Sequence, residues 1–426
     1  MHTVLAAAII QLVLVVGAYV PATFAGTSLR DDVFEQIPFD RWRSEGNQSV
    51  IPWSVDVIPP ELSSHQRLLV GVKIQVDVSK FAKHHRKERL LALVQFEDAD
   101  RTVWRTHSFL NRESGGEIDY IQNAFVLPGD YVLSVAVCDA AGLQHSFAGR
   151  KLHVPALKAD PLPNSWDGLP RVEFLRSGAE SPDAWFLPDV NGRLHLPIQT
   201  HHPVHIDVLL NTTPGDRVSD PVGGLRRNMS VLIPALKVIS QMELRNGPVG
   251  LGSSMDVAFL DLTHRQAVGV QNWEDMKKFF AGSNPGIVDV KALDGQWKMR
   301  SFFFDQVIDR IEASQEAERI VIVLSGPAFY ADQEPASLST AGQIGLPQGV
   351  VPRVFYIRCR EIPRSILAPR PRPGVRPKLP RRAAFALPLD DLELPLEKSG
   401  ARLYDVITAE QFRRVLADVI RQISRI

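Results

Sequence analysis

An α/β chain with a small antiparallel β-sandwich in front of it is the fold class that this sequence predicts, from two observations. Between residues 51 and 155 short β-rich runs follow one another without helical stretches, which implies a sandwich. From His205 onward apolar strands alternate with helical patterns, which implies a doubly wound α/β domain. The 426 residues suit two or three domains.

Composition places the chain among ordinary globular proteins, with 45% hydrophobic and 23% charged residues. Its 48 basic and 48 acidic residues give a formal net charge of +0, so no global field draws it to nucleic acid or an anionic membrane. Residues 1–25 read as a secretory signal: an apolar run from Val4 to Val20, then small residues at Thr23 and Ala25 suited to cleavage before Gly26. An uncleaved N-terminal anchor is the alternative, although the run is short of the ~20 residues a spanning helix needs. No other segment is apolar enough to span a membrane. Cys138 and Cys359 fall in different predicted domains, and buried thiols are favoured over a disulfide.

Residues 26–50 are polar and predict an irregular segment. In the sandwich (51–155), Leu68–Val78 ends in strict alternation, Leu90–Phe96 follows, and Arg101–Phe109 alternates again through Val103 and Trp104. Pro128-Gly129-Asp130 between Ala124–Leu127 and Tyr131–Asp139 is a turn signal between two strands. Leu127-Pro128-Gly129-Asp130-Tyr131 resembles the turn and strand of bacterial Ig-like and fibronectin-like modules. Residues 156–200 predict a connector with a hairpin that packs through Trp166, Phe174, Trp185 and Phe186.

In the α/β half (201–426), Ile206–Leu210, Met255–Leu262, Arg319–Leu324 and Arg353–Arg358 predict strands. The continuous apolar run of Ile320–Leu324 suits a strand buried on both faces. Helices are predicted over Ser230–Met242, after Asn272 across Trp273, Met276, Phe279 and Phe280, and over Ser301–Ala313. The last helix carries Phe412, Val415, Leu416, Val419, Ile420 and Ile423 on one face, with Thr408 and Gln411 at capping-box spacing. Residues 362–382 predict an exposed Pro/Arg-rich loop.

The strand Ile206-Asp207-Val208-Leu209-Leu210 runs into Asn211-Thr212-Thr213-Pro214-Gly215. It resembles the first strand of a von Willebrand factor type A domain. With the leader, the β-module and the ending Leu403–Phe412, it is similar to type-A-related proteins of soil bacteria such as acidobacteria. The resemblance covers about residues 200–426 and implies a type A-like domain. In that family Asp-x-Ser-x-Ser and a Thr/Ser-Asp-Gly loop help to hold Mg²⁺ or Mn²⁺. Here Asn211 stands at the Asp position, Thr213 and Gly215 at the Ser positions, and Ser325-Gly326-Pro327 in the third loop, with Gly326 where the Asp belongs. Neutral oxygens alone hold a hard dication poorly. The resemblance therefore implies a degenerate metal-ion-dependent adhesion site, with no metal and no cofactor.

Other chemistry is thinner. His201-His202-Pro203-Val204-His205 could offer imidazoles to Zn²⁺ or Cu²⁺, but its spacing matches no zinc motif, and a connector entering a strand is the preferred reading. Ser325 follows an apolar strand but lacks the Gly-x-Ser-x-Gly of a nucleophile elbow. No phosphate-cradling glycine loop is present. The expected protein is a secreted or periplasmic protein-binding or scaffolding protein and not an enzyme. Its expected partner is another protein of the envelope or extracellular space. Asn211, Thr212, Thr213, Ser325 and Gly326 are expected to line the contact surface, since parallel sheets place ligands at the carboxyl ends of their strands. The alternatives are a metal-dependent adhesin with a rearranged site and an envelope hydrolase using Ser325.

Overall fold

The computed structural model describes residues 31–77, 89–110, 116–139, 144–175, 191–213, 221–246, 253–270, 275, 278–279, 296–313, 318–328, 353–359, 390–398 and 400–426. The expected signal segment, Pro214 and Gly215, most of the helix expected after Asn272, and the Pro/Arg-rich loop lie outside them.

The first half contains α1 (Asp31–Gln36), α2 (Phe39–Glu45) and nine strands. These are β1 (Gln48–Ser49), β2 (Trp53–Leu62), β3 (Leu68–Asp77), β4 (Leu90–Asp98), β5 (Val103–Leu110), β6 (Glu117–Val126), β7 (Gly129–Asp139), β8 (His145–Val154) and β9 (Val172–Phe174). They form two antiparallel sheets, ordered β1-β8-β7-β4-β5 and β2-β3-β6-β9. Val70, Val72, Ile74 and Val76 of one sheet meet Ala92, Val94, Phe96, Leu133 and Val135 of the other in a shared core. The Pro128 turn is closed by the Tyr131 hydroxyl, which donates to the Leu127 carbonyl at 2.9 Å.

Strand β4 does not alternate: all nine of its residues are buried. The reason lies in the N-terminal segment expected to be irregular. Its α1 and α2 place Phe34, Ile37, Phe39 and Trp42 against Leu91, Leu93, Ala136, Cys138 and Phe147 on the outer face of the first sheet. The segment's polar composition hid these few apolar anchors, which cover the second face of β4. Burial of the free Cys138 thiol pushes its pKa up to about 12, and Cys359 is likewise free and buried.

The second half adds β10 (Leu196–Thr200), β11 (Val204–Asn211), α3 (Pro221–Ile239), β12 (Met242–Asn246), β13 (Ser254–Asp261), β14 (Gln266–Val270), α4 (Gln296–Glu312), β15 (Glu318–Ser325), β16 (Val354–Cys359), α5 (Glu393–Lys398), β17 (Arg402–Val406) and α6 (Ala409–Ile423). A six-stranded sheet runs β14-β13-β11-β15-β16-β17. One face packs α3 and α6 over Ile206, Val208, Leu210, Ile320 and Ile322. The other packs α4 and α5 over Leu209, Val321, Val323 and Tyr356. Helix α6 starts at the expected capping box, where the Gln411 N–H donates to Thr408 Oγ1 and Gln411 Oε1 accepts from the Thr408 N–H. Met242, expected inside a helix, instead opens β12 and pairs in parallel with Leu196.

The doubly wound α/β, type A-like fold class expected from the sequence is corrected by this structure. Among the described residues strand makes up 49% and helix 25%, and both sheets of the first half are antiparallel throughout, so the described structure is mostly β. The strand–helix alternation after His205 suggested helical crossovers throughout. Yet β13 and β14 are joined by a tight turn and pair antiparallel, and β10 with β12 forms a separate two-stranded sheet.

The two halves meet at a buried guanidinium. Arg413 of α6 is 2% exposed and donates to both Asp160 oxygens at 2.6 and 2.8 Å, to the Leu162 carbonyl at 2.8 Å and to Ser165 Oγ at 2.7 Å. It lies 4.8 Å from the centre of the Trp166 ring. Trp166 donates to the Gln66 carbonyl, and Gln66 donates to the Ala409 carbonyl. Residues 160–166 of the connector therefore pack between the halves, while Trp185 and Phe186, expected to pack with them, lie outside the described residues. Among the described residues no helix is long and apolar enough to cross a membrane.

Candidate functional site

Strands β11, β15, β16 and β17 end side by side, and their last inward-facing residues on the α4/α5 face are polar. The register pairs Ser325 with Arg358 and Arg358 with Asp405. Asn211 joins the row by donating from Nδ2 to Ser325 Oγ at 2.9 Å. Each lies two residues beyond an apolar member of the same face (Leu209, Val323, Tyr356, Leu403), as the strand period requires.

The five residues expected to line a contact surface are buried. Asn211 is 2% exposed, Thr212 and Thr213 are 7% each, Ser325 is 0%, and Gly326 is buried beside it. Their polar atoms engage one another and the backbone. Asn211 Oδ1 accepts from the Thr213 N–H at 3.0 Å, and Thr213 Oγ1 accepts from the Leu262 N–H at 2.7 Å. The Thr212 hydroxyl donates to the Leu260 carbonyl at 2.9 Å, and Ser325 donates to the Gly326 carbonyl at 2.6 Å. Neither partner of Ser325 is a base that would activate it as a nucleophile.

The charged part of the row went unrecognised in the sequence. Arg358 donates to both oxygens of Asp405 at 2.6 and 2.9 Å, to Glu393 at 2.8 Å and to Asp390 at 3.3 Å. Asp390, fully buried, also accepts from the Tyr356 hydroxyl at 2.8 Å and the Leu392 N–H at 2.9 Å. Burial raises the Asp390 pKa, against these hydrogen bonds and Arg358, which lower it. For Arg358, burial opposes the charge, but the hydrogen bonds it donates to Asp405 and Glu393 outweigh that and raise the guanidinium pKa. A cavity of about 60 Å³ adjoins this network, room for a water molecule or two. The period-two pair Tyr356 and Arg358 was visible in the sequence, but Asp390 and Asp405 lie 32 and 47 residues farther on.

At the opposite, amino end of the sheet, the histidine run separates. His201 and His202 are exposed and stand apart, while His205 enters β11. There its Nε2 lies 3.4 Å from Asp207 Oδ2 and 3.4 Å from Asp256 Oδ2. The carboxylates that the sequence run lacked are supplied from two residues along the same strand and from its neighbour β13. A third polar region is a groove of about 390 Å³ between the halves, lined by His65, Arg67, Arg193 and Lys237 among others. Burial lowers the His65 pKa to about 4, with Lys237 and Arg67 adding repulsion.

No protein-family model matches this chain, and no curated protein matches it. Among solved structures it is similar to a Parabacteroides merdae β-glucuronidase carrying glycerol in its active site, at 10% identity and a TM-score of 0.18. That match covers 72% of this chain and 40% of the glucuronidase.

Proposed function

We propose that this chain is a secreted or periplasmic protein-binding or scaffolding protein that works without a metal at the carboxyl end of its six-stranded sheet. The observation that carries the reading is the closure of Asn211, Thr213 and Ser325 into one hydrogen-bonded group beside the Arg358 network. Acceptors already engaged by N–H donors, with no carboxylate among them, make a poor shell for a hard cation. They make a good rigid frame for loops, and binding residues concentrate on loops held by such frames. The five residues first expected to touch a partner act from beneath. Exposed residues on this end include His264 and Arg265 in the β13–β14 turn, Asp405 at the end of β17 and Ile407 after it. The proposed partner is another protein of the envelope or extracellular space, the class expected from the sequence. The apolar leader supplies the compartment.

The test uses chelator-treated protein with a photo-crosslinker in place of His264 or Ile407, exposed to envelope extract. The expected result is one discrete cross-linked protein, captured equally with and without added Mg²⁺. Capture only with Mg²⁺ would favour a metal-dependent adhesin. Ester or peptide hydrolysis that disappears in Ser325→Ala would favour an envelope hydrolase. Absence of any discrete product removes the reading.

A further inference from the structure

We infer that His205, Asp207 and Asp256 form a binding site for one zinc-class divalent cation at the amino end of the six-stranded sheet. It lies at the other end of the strands from the Asn211 group and is independent of the function proposed above.

Asp207 of β11 stands directly opposite Asp256 of β13. Like charges in direct cross-strand positions destabilise a sheet unless something positive lies between them. His205 is on the same face as Asp207 and aims Nε2 at both carboxylates. That Nε2 is buried and has no hydrogen-bond partner among the described residues. The other ring nitrogen, Nδ1, is fixed 2.6 Å from Ser254 Oγ. A histidine ligand is held in this way when its second nitrogen is anchored outside the coordination shell.

Both carboxylate oxygens lie 3.4 Å from Nε2. Ligands bound to zinc at about 2.0–2.2 Å in a tetrahedral shell stand about 3.3–3.6 Å apart along each edge. All three ligand atoms lie within 4.8 Å of one another.

The surroundings narrow the choice of cation. Arg319 Nη1 lies 3.1 Å from Asp207 Oδ2, and Arg310 Nε lies 3.5 Å from Asp207 Oδ1. These guanidiniums orient the carboxylate and draw off part of its charge. Mg²⁺ and Ca²⁺ depend on carboxylate charge and avoid imidazole, whereas Zn²⁺, Cu²⁺ and Ni²⁺ accept imidazole readily. The Asp256 side chain is 74% exposed, so the site opens to solvent there and offers the fourth position to water.

The test is calorimetric titration of chelator-treated, full-length protein with ZnCl₂. One equivalent should bind with a micromolar dissociation constant. Asp256→Asn, at an exposed position that the fold tolerates, should weaken binding by at least about tenfold. His201→Ala/His202→Ala should bind as the wild type does. Mg²⁺ in place of Zn²⁺ should give no heat. Absence of zinc binding, unchanged affinity in Asp256→Asn, or loss in the His201/His202 variant would each overturn the assignment. Circular dichroism of the Asp256→Asn protein guards against reading misfolding as lost binding.

Discussion

At the carboxyl end of the six-stranded sheet, Asn211, Thr213 and Ser325 hydrogen-bond to one another, and Arg358 is surrounded by carboxylates. At the amino end of the same strand β11, two carboxylates face each other across the ladder, one beside Arg310 and Arg319, with an imidazole nitrogen 3.4 Å from each that has no hydrogen-bond partner among the described residues. The end that resembles a cation site by motif has its polar atoms satisfied internally. The end with no recognisable motif holds the charge arrangement a cation would relieve.

Substitutions at the two ends should separate them. The largest effect is expected for Arg358→Ala, which leaves the fully buried Asp390 without its cation. Loss of one partner from a buried pair costs about 3–5 kcal/mol, read as a lower urea midpoint. Metal-free Asp256→Asn should do the reverse and leave stability unchanged or slightly raised, because it relieves the opposition to Asp207. A large loss in that variant would break the contrast.

Acid sensitivity comes next and must be kept apart from metal loss. The folded His65 pKa, about 4, lies below the ordinary 6.5, so the unfolded chain binds the extra proton first. Stability then falls as pH drops from 6.5 towards 4, by about 2–3 kcal/mol in total. His65→Gln should flatten that part of a pH series of denaturation midpoints, in chelator-treated protein as well as untreated.

Zinc at about a hundredfold over its dissociation constant should stabilise the wild type by about 2.7 kcal/mol. The same addition should stabilise Asp256→Asn by no more than about 1.4 kcal/mol, measured by thermal unfolding. Ser325→Ala should cost about 1–2 kcal/mol through the hydrogen bonds it removes, without changing the zinc response. The smallest effect is expected for His201→Ala/His202→Ala, within about 0.5 kcal/mol of the wild type.

Much of the second half's local structure was legible in sequence. The apolar runs gave β11, β13, β15 and β16, and Thr408 with Gln411 gave the start of α6. The N-terminal helices were not, because Phe34, Phe39 and Trp42 are sparse among polar residues and acquire meaning only against the outer face of β4. The site was legible in one dimension only. Asn211 and Ser325 were singled out separately, and their mutual hydrogen bond follows from β11 and β15 being neighbours. Asp207 and Asp256 are 49 residues apart and become opposite partners through parallel register, which no local pattern encodes. The same holds for Arg413 and Asp160, 253 residues apart, whose ion pair joins the halves.

The most direct test of this contrast is anomalous scattering at the zinc absorption edge from crystals grown with Zn²⁺. A single peak among His205 Nε2, Asp207 Oδ2 and Asp256 Oδ2, with none within the Asn211–Thr213–Ser325 group, is the predicted result. A peak at the carboxyl end, or none between the two aspartates, would contradict it.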